Sequence, residues 1–550
     1  MKQNRKAEMF SIWNLISIFS LLIIGIFIIY PLIRLFIKSF FETGSFSIQS
    51  YKDFFSLPYY FSTLKNSLIV CTFATIGATA IGLPMAYIVT RYNIPCKRFI
   101  NICVILSLMS PPFIGAYSWI VLLGRNGFVT NLLSGIGITP PTIYGFGGIL
   151  LVFTLKFYPY VYLYVSGALQ SIDSSLEEAA ENLGVSGLKK LITVTFPLVL
   201  PTIAAGALMV FMTSLADFGT PMLIGEGYRV LPVVVYTEFM SETGGNTSMA
   251  STLSIIIICC STAILFLQKW YIGRRNYQMS ALRPPKVKEL KPYSRFLATA
   301  FCFVCVFLAM LPQITVLVTS FIKTNGPIFV KGFSFDSYLS IFYKLGRNIK
   351  NTFAFSTVAI LIMVAAGMLL SYLIVRKRNK LTTAIDVFIM LPYVIPGAVL
   401  GITLLGAFNK PPIMISGTAA IMILSYVIRK LPYTIRSSTG ILYQIDQSID
   451  EASISLGVSP IKTFFKVTAP MMMPGVLSGA VISWITTINE LSSSIILYTG
   501  KTGTISVAIY SEVVRGGYGT AAALASILTL VTTISLLIFF AVTKSDSISV

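Results

Sequence analysis

The sequence predicts an all-α polytopic membrane protein, with about twelve transmembrane helices arranged as two parallel six-helix repeats. Three observations predict it. Of 550 residues, 55% are hydrophobic and only 11% charged, at a mean hydropathy of +0.81, whereas soluble globular chains carry about 25% charged residues. Apolar runs of roughly 20 residues, the length needed to cross a bilayer, recur along the whole chain. Finally, Ile172 to Pro201 matches Ile445 to Pro474 at a constant offset of 273, with 14 of 30 positions identical.

The runs fall at 11–39, 62–90, 99–124, 143–168, 202–225 and 250–270, then at 296–322, 350–375, 383–407, 412–435, 475–498 and 520–543. The first continues through Tyr30 and Pro31 without a small-residue cleavage pattern and reads as a retained span. Orientation follows from Lys and Arg in short loops. Lys2, Arg5 and Lys6 precede the first span, Arg91, Lys97 and Arg98 follow the second, eight basic residues lie between Lys269 and Arg295, and Arg376, Lys377, Arg378 and Lys380 follow the eighth. All share one side when both termini are cytoplasmic. Lys323, Lys331, Lys344, Arg347 and Lys350 dissent, but on a long connection, where the rule is weak. The net charge of +21 is thus a topology signal: the basic residues lie between apolar runs and form no patch for nucleic acid.

The repeat extends beyond the two matched stretches. Lys156, Pro159 and Tyr160 correspond to Arg429, Pro432 and Tyr433 at offset 273, and Asp217 to Glu490. Nearer each start the offset is 285, pairing Asn66 with Asn351, Tyr87 with Tyr372 and Arg91 with Arg376. The extra residues of the first copy fit the Gly-rich loop between Arg125 and Pro140. An even number of spans per copy makes the copies parallel, related by an axis along the membrane normal. The chain then divides into a first half, 1–270, a basic cytoplasmic linker, 271–295, and a second half, 296–550.

Within the matched stretches, Ser175 with Glu178 and Ser448 with Glu451 have capping-box spacing. Gly184 and Gly457 suit a left-handed stop, and Ser186 and Ser459 can cap the next helix, with Pro460 at its first position. Each stretch therefore predicts a helix, a sharp turn and a second helix, a polar knob held at a fixed angle. Glu178, Ala179, Ala180, Gly184 and Pro197 in the first copy, with Glu451, Ala452, Ser453, Gly457 and Pro470 in the second, resemble the cytoplasmic signature loop of ABC importer permeases. The resemblance implies that loops 172–201 and 445–474 each fit a cleft in one of two copies of a cytoplasmic ABC ATPase subunit, with the two glutamates making polar contacts and the two glycines setting the turn. It also implies a prokaryotic inner-membrane location and an external solute-binding protein that delivers the cargo.

The chain itself has no ATP site. Gly500-Lys501-Thr502 is the only partial phosphate-loop match, and its required first glycine is Ile495. No cofactor is expected on this chain; ATP belongs to the partner. There is no histidine, which removes most acid–base schemes, and Cys302-x-x-Cys305 lies in a hydrophobic run rather than a redox unit. The chain is not expected to be an enzyme.

Lys156 and Arg429 lie mid-span, and Asp217 and Glu490 lie at or near membrane depth. Charges there are costly unless paired or wet. Two readings follow: pairs beside the path that rearrange during transport, or fixed pairs that only orient helices. Asp217-Phe218-Gly219-Thr220-Pro221, Tyr236-Thr237-Glu238, Glu490-Leu491-Ser492, and Val507 to Glu512 look like the ferric-iron branch of fused ABC permeases. Branches for thiamine, polyamines or phosphonates share the architecture and stay open. Fe(III) prefers oxygen ligands, which makes Tyr236, Glu238, Tyr510, Glu512 and Asp217 admissible contacts along the path; Tyr and Glu at an interface also serve as belt and surface residues, and no metal ligand is assigned. An ion-gradient-driven secondary transporter is the rival class, and it has no need of two matched knobs.

Overall fold

The computed structural model describes residues 12–42, 45–185, 187–241, 246–273 and 287–543. Ser186, the N-terminal cations Lys2, Arg5 and Lys6, and most of the basic linker lie outside them. The described chain is helical apart from two small hairpins, Phe41–Glu42 with Ser45–Phe46 and Ile322–Asn325 with Ile328–Phe333. Each hairpin directly follows the first long helix of its repeat.

All twelve apolar runs are helical, but not all are single rods. Among the described residues nine helices are long and apolar enough to span alone, and a tenth is a pair, Lys380–Tyr393 with Gly397–Phe408, bent by 112°. The run at 99–124 is also broken, into Lys97–Leu108 and Pro112–Leu123. Pro111-Pro112 and Pro396 explain the breaks, because proline lacks the N–H that would continue the ladder. The run at 412–435 becomes Ala419–Gln444, a continuous helix that carries Arg429, Lys430 and Arg436. The dissenting cations Lys344, Arg347 and Lys350 are not in an open loop. They lie on the first turns of Asp336–Arg376, a 41-residue helix.

The chain forms two compact units whose borders differ from the sequence halves. The first unit holds Met1–Asp53, Val235–Ile255 and Ser320–Lys544. In it the leading helix, Ile12–Phe40, packs on Lys380–Val394 and Gly397–Phe408. Its buried stripe is Trp13, Ser17, Ser20, Ile24, Ile28, Pro31 and Leu35, spaced three or four apart. Trp13 lies 4.8 Å from Tyr372 and 6.0 Å from Phe464, and Asn379 donates to Asn14 at 3.0 Å.

The second unit holds Phe54–Val234 and Ile256–Thr319 as its main segments. There Pro292–Thr319, the leading helix of the second repeat, packs on Lys97–Leu108 and Pro112–Leu123, and Ser118 donates to the Pro312 carbonyl at 2.8 Å. Each unit thus takes its leading helix from the opposite repeat. The physical reason is that such a helix has only one half-polar stripe to bury and leaves the rest to lipid: Leu15, Phe19 and Leu22 on one, Phe296, Val304 and Phe307 on the other, are exposed.

The centre of each unit is a three-helix packing repeated in both: Pro58–Arg91 with Phe146–Gln170 and Phe196–Ala216, and Asp336–Arg376 with Ala419–Gln444 and Ala469–Ile488. Close approach needs small residues where helices cross in a bilayer. A Cβ on Gly206 would lie 3.0 Å from Val161 Cα, and one on the equivalent Gly479 2.9 Å from Thr434 Cα. The repeat therefore preserves the crossing point as well as the loops.

Candidate coupling loops and buried ion pairs

Each signature loop is built as a short helix, a left-handed turn and a π-helical turn that leads into the next span. The first helices are Ser174–Asn182 and Ser448–Ser455. Their starts correct the expected capping boxes: the aspartates before them do the capping. Asp173 accepts from the Ser175 N–H at 2.9 Å and Asp446 from the Ser448 N–H at 2.8 Å. Aspartate also suits the partial positive charge of a helix start, and its bond to Ser448 holds the Asp446 carboxyl below the usual range.

Gly184 and Gly457 end these helices at φ +80° and +84°, the left-handed stop the sequence predicts. Nothing lies within 4 Å of a Cβ built on either, so an alanine there meets only backbone strain, about 1–2 kcal/mol. Gly184→Ala and Gly457→Ala are expected to cost that amount locally, read as faster amide exchange over the turn with no change in span packing. Ser459 precedes Pro460 as expected but makes no side-chain cap bond.

Residues Leu191–Thr195 and Phe464–Thr468 form π turns, five residues each and equivalent by the repeat. Pro197 and Pro470 follow them in the first turn of the next span. A proline cannot donate to the ladder behind it, and a π turn absorbs the register change. The last residue of each turn is a threonine that points back to the preceding helix. Thr195 donates to Glu177 at 3.3 Å and Thr468 to Asp450 at 2.6 Å.

Glu177 and Asp450 are equivalent residues, and each is ion-paired with the arginine that ends the second long helix of its repeat. Arg91 lies 2.8 Å from Glu177 and Arg376 3.2 Å from Asp450, with all four side chains largely buried. Arg376 also donates to the Ile445 carbonyl at 2.6 Å. This anchor fixes each loop to the span bundle. Glu178 is half-buried and Glu451 is exposed, accepting from Gln447 at 3.1 Å. Ala179 and Ala452 are exposed, Ala180 is buried, and Ser453 bonds Thr463 at 3.0 Å. The anchor was visible in the sequence as Arg91 with Arg376 at one offset and an acid at 177 and 450 at the other.

The tips hold a second pair that the sequence reading missed. Leu183 is 83% exposed and Leu456 85% exposed. They are equivalent by the repeat, each immediately before the left-handed glycine, and the described residues leave them uncovered. Two large apolar side chains held outward at matched positions make each knob a polar body with an apolar point.

The first loop is also clipped by the end of the linker. Lys288 forms a parallel bridge with Tyr92, its N–H donating to the Arg91 carbonyl at 2.9 Å and its carbonyl accepting from Asn93 at 3.1 Å. Its ammonium lies 3.0 Å from Glu181, which Lys190 also binds at 2.6 Å. Lys190 first, then Lys288, holds the Glu181 carboxyl down to about 2. A depressed carboxyl gives its contribution fully above the free value and loses it as pH falls through the folded one. The clip is therefore expected to stay intact as pH drops through 4.5 and to release only near pH 2, measured by amide exchange at Lys288 and Asn93.

The charges at membrane depth pair as the sequence suggested. Lys156, mid-way along Phe146–Gln170, lies 2.8 Å from Asp217, beside a small cavity lined by Ser107, Ser110, Trp119 and Gln313. Arg429 binds Glu490 in the equivalent place. The carboxylates are not mid-span: both sit where the span before them ends and a short helix begins, Gly219–Ile224 or Ser494–Leu497. Asp217 accepts from the Thr220 N–H at 2.9 Å and Glu490 from the Ser493 N–H at 3.2 Å, each capping the next turn. The copies differ in charge at one position. Where the first repeat has Phe157, the second has Lys430, also 3.0 Å from Glu490, so two cations there share one acid.

Tyr236 and Glu238 lie on Leu231–Met240, and Tyr510 and Glu512 on Ile505–Val514. On a helix, residues two apart do not share a face, so each Tyr and its following Glu do not converge on one ligand.

Known proteins align with nearly the whole chain. The chain is 30% identical over 544 residues to the ferric transport system permease protein FbpB of Actinobacillus pleuropneumoniae, covering 97% of this chain and 78% of that one. It is 30% identical to the putative ferric transport system permease protein FbpB 1 of Haemophilus influenzae, covering 90% and 79%. The molybdenum transport system permease protein ModB of Escherichia coli K12 is also 30% identical, over 37% of this chain and 90% of ModB. Residues 78–277 and 363–545 each match the family described as binding-protein-dependent transport system inner membrane component, one match per repeat, and the chain belongs to that family as an ABC importer permease with both halves fused.

Proposed function

We propose that this chain forms the translocation pathway of an importer driven by a separate cytoplasmic ATPase, with ferric iron as cargo handed over by an external binding protein. The observation that carries the reading is the duplicated knob: two rigid loops, each anchored by a buried ion pair and each ending in an exposed leucine, suited to two copies of one partner. The distribution of Lys and Arg supports a cytoplasmic side for both knobs and both termini. Gly500-Lys501-Thr502 lies in a turn before Ile505–Val514 and after Leu497, not between a strand and a helix, so energy comes from the partner. Iron is favoured as cargo because the relatives that align with nearly the whole chain are named for ferric transport.

In this reading the Lys156–Asp217 and Arg429–Glu490 pairs flank the path at the points where the fifth helix of each repeat breaks, and the paired charges can be exposed or covered as the helices tilt. Reconstitution tests it. The chain, co-expressed with the ATPase from its own genome neighbourhood, is expected to copurify with two copies of it. ATP hydrolysis by that complex in lipid vesicles is expected to rise when iron-loaded binding protein is added outside, and not with molybdate-, thiamine- or polyamine-loaded proteins. Stimulation by one of those instead reassigns the cargo. A chain that moves cargo alone along an ion gradient is a secondary transporter.

A further inference from the structure

The linker ends in a fastening that the importer reading leaves without a role. Lys288 pairs with the chain that leaves the second long helix: its N–H donates to the Arg91 carbonyl at 2.9 Å and its carbonyl accepts from the Asn93 N–H at 3.1 Å. Beside it the Asn93 side chain donates to Glu289 at 2.7 Å. From there a ladder of charges runs into the first coupling loop. Lys288 lies 3.0 Å from Glu181, Lys190 lies 2.6 Å from Glu181 and 3.7 Å from Glu177, and Arg91 lies 2.8 Å from Glu177. Glu181 is on Ser174–Asn182, the helix that ends at the exposed tip Leu183.

The same lysine stands just ahead of a long helix. The Lys291 carbonyl accepts from the Arg295 N–H at 2.8 Å, at the start of Pro292–Thr319, and the three residues from Lys288 to Lys291 reach at most about 11 Å. That helix, the leading helix of the second repeat, runs 20 residues from Pro292 to Pro312 (312 − 292), about 30 Å. The Pro312 carbonyl accepts from Ser118 on Pro112–Leu123 at 2.8 Å, and Pro312 and Gln313 line the cavity beside Lys156. One end of the helix is thus fastened to the coupling loop, and its far part reaches the cavity of the Lys156–Asp217 pair.

The other unit has the same arrangement in different chemistry. The start of Ile12–Phe40, the leading helix of the first repeat, packs on the second coupling loop: Trp13, 5% exposed, lies 6.0 Å from Phe464 in the π turn and 4.8 Å from Tyr372, and Asn379 donates to Asn14 at 3.0 Å. Further along, Phe27 lies 5.7 Å and Tyr30 6.3 Å from Phe408, the last residue of Gly397–Phe408. Ions and backbone in one unit, and aromatic rings in the other, fasten equivalent helix starts to equivalent loops. Two unlike sets of contacts in matched places argue for a shared task.

We propose that the two leading helices are tie rods: each carries the motion of the coupling loop in its unit to the broken helix beside it, with Lys288 and Trp13 as positioning residues. The tie rests on the importer reading. Packed side chains, ion-pair networks and rigid elements are what carry coupling between distant places, and a helix fastened to the loop at one end and packed on the broken helix along its length joins all three. Without the tie the ATPase still docks on Leu183 and Leu456, but its stroke no longer reaches the broken helices.

The test places four residues, Gly-Ser-Gly-Ser, on one side of Lys288 or the other, in complexes with the ATPase and iron-loaded binding protein in vesicles. Inserted between Leu290 and Lys291, they slacken the link to the helix; inserted ahead of Val287, they lengthen the linker equally and leave that link alone. The readout is ferric iron taken up per ATP hydrolysed, which a merely stabilising contact does not move. The insertion after Leu290 is expected to lower that ratio at least about fivefold, the lower end of allosteric coupling, with the ATPase still copurifying, and the insertion ahead of Val287 to keep it. Equal ratios for the two insertions, kept or lost, overturn the tie. In the other unit Trp13→Ser is expected to lower the ratio and Trp13→Phe to retain it; a Trp13→Ser complex at the wild-type ratio overturns the tie there. Wild-type uptake separates the two readings: its absence overturns the importer reading on which the tie rests, whereas its presence beside an unaltered Leu290 insertion overturns the tie alone.

Discussion

Replacing Leu183 and Leu456 together by aspartate is expected to abolish transport and ATPase coupling while the chain stays folded. Both side chains lie more than four-fifths exposed at the tips of the loops, so their removal takes no contact from the core. A fully buried leucine contributes about 1.5–3 kcal/mol, and aromatic or aliphatic anchors in a central pocket dominate interface energy. At about 1.4 kcal/mol per tenfold, each loss lowers affinity for the ATPase by roughly 10- to 100-fold. A buried, unpaired aspartate adds a further penalty. The measurement is copurification with the ATPase beside thermal stability in detergent. Lost copurification at an unchanged melting temperature is the expected pattern, and Leu→Met at both sites should retain the partner because volume and apolarity are kept.

Glu490→Gln is expected to be the most destabilising single substitution at membrane depth. Glu490 faces both Arg429 and Lys430, so neutralising it leaves two buried cations with no acid between them. Removing one partner of a buried ion pair costs about 3–5 kcal/mol, and a whole domain is stable by only about 5–15 kcal/mol. Asp217→Asn strands one cation, Lys156, and should cost less. Lys430→Met has the opposite expectation: it removes the excess charge, keeps the Arg429 pair and restores an apolar residue like Phe157, so stability should hold or rise. The order in melting temperature, measured by size-exclusion of heated samples, should be Lys430→Met at or above wild type, then Asp217→Asn, then Glu490→Gln.

Much of this was legible in the sequence because duplication writes each feature twice. Gly184 with Gly457, Pro197 with Pro470, and Lys156 and Asp217 with Arg429 and Glu490 could be paired by offset alone, and the ion pairs are present as that pairing suggested. The capping aspartates were missed because Asp173 and Asp446 sit two residues before the serines that matched a known motif. Glu177 with Asp450 was overshadowed by the neighbouring glutamates, which are identical between copies. Leu183 and Leu456 were illegible because an apolar residue beside a turn glycine reads as buried; only backbone geometry shows that the turn throws it out.

The borders of the two units were not legible either. Repeat boundaries follow sequence similarity, whereas units follow contacts, and the stripes on Ile12–Phe40 and Pro292–Thr319 do not state which helices they will face. The broken runs at Pro111 and Pro396 were continuous by hydropathy, which averages over a proline that the backbone cannot.

The central claim is that two equivalent loops engage a motor supplied by another protein. A photo-crosslinking amino acid placed at 183 and, separately, at 456 in the assembled, ATPase-active complex tests it most directly. The account predicts that both positions trap the ATPase subunit, and that the same probe at Leu132, exposed in the loop between the third and fourth apolar runs, does not. Crosslinks from neither tip, or from Leu132 in their place, would contradict it.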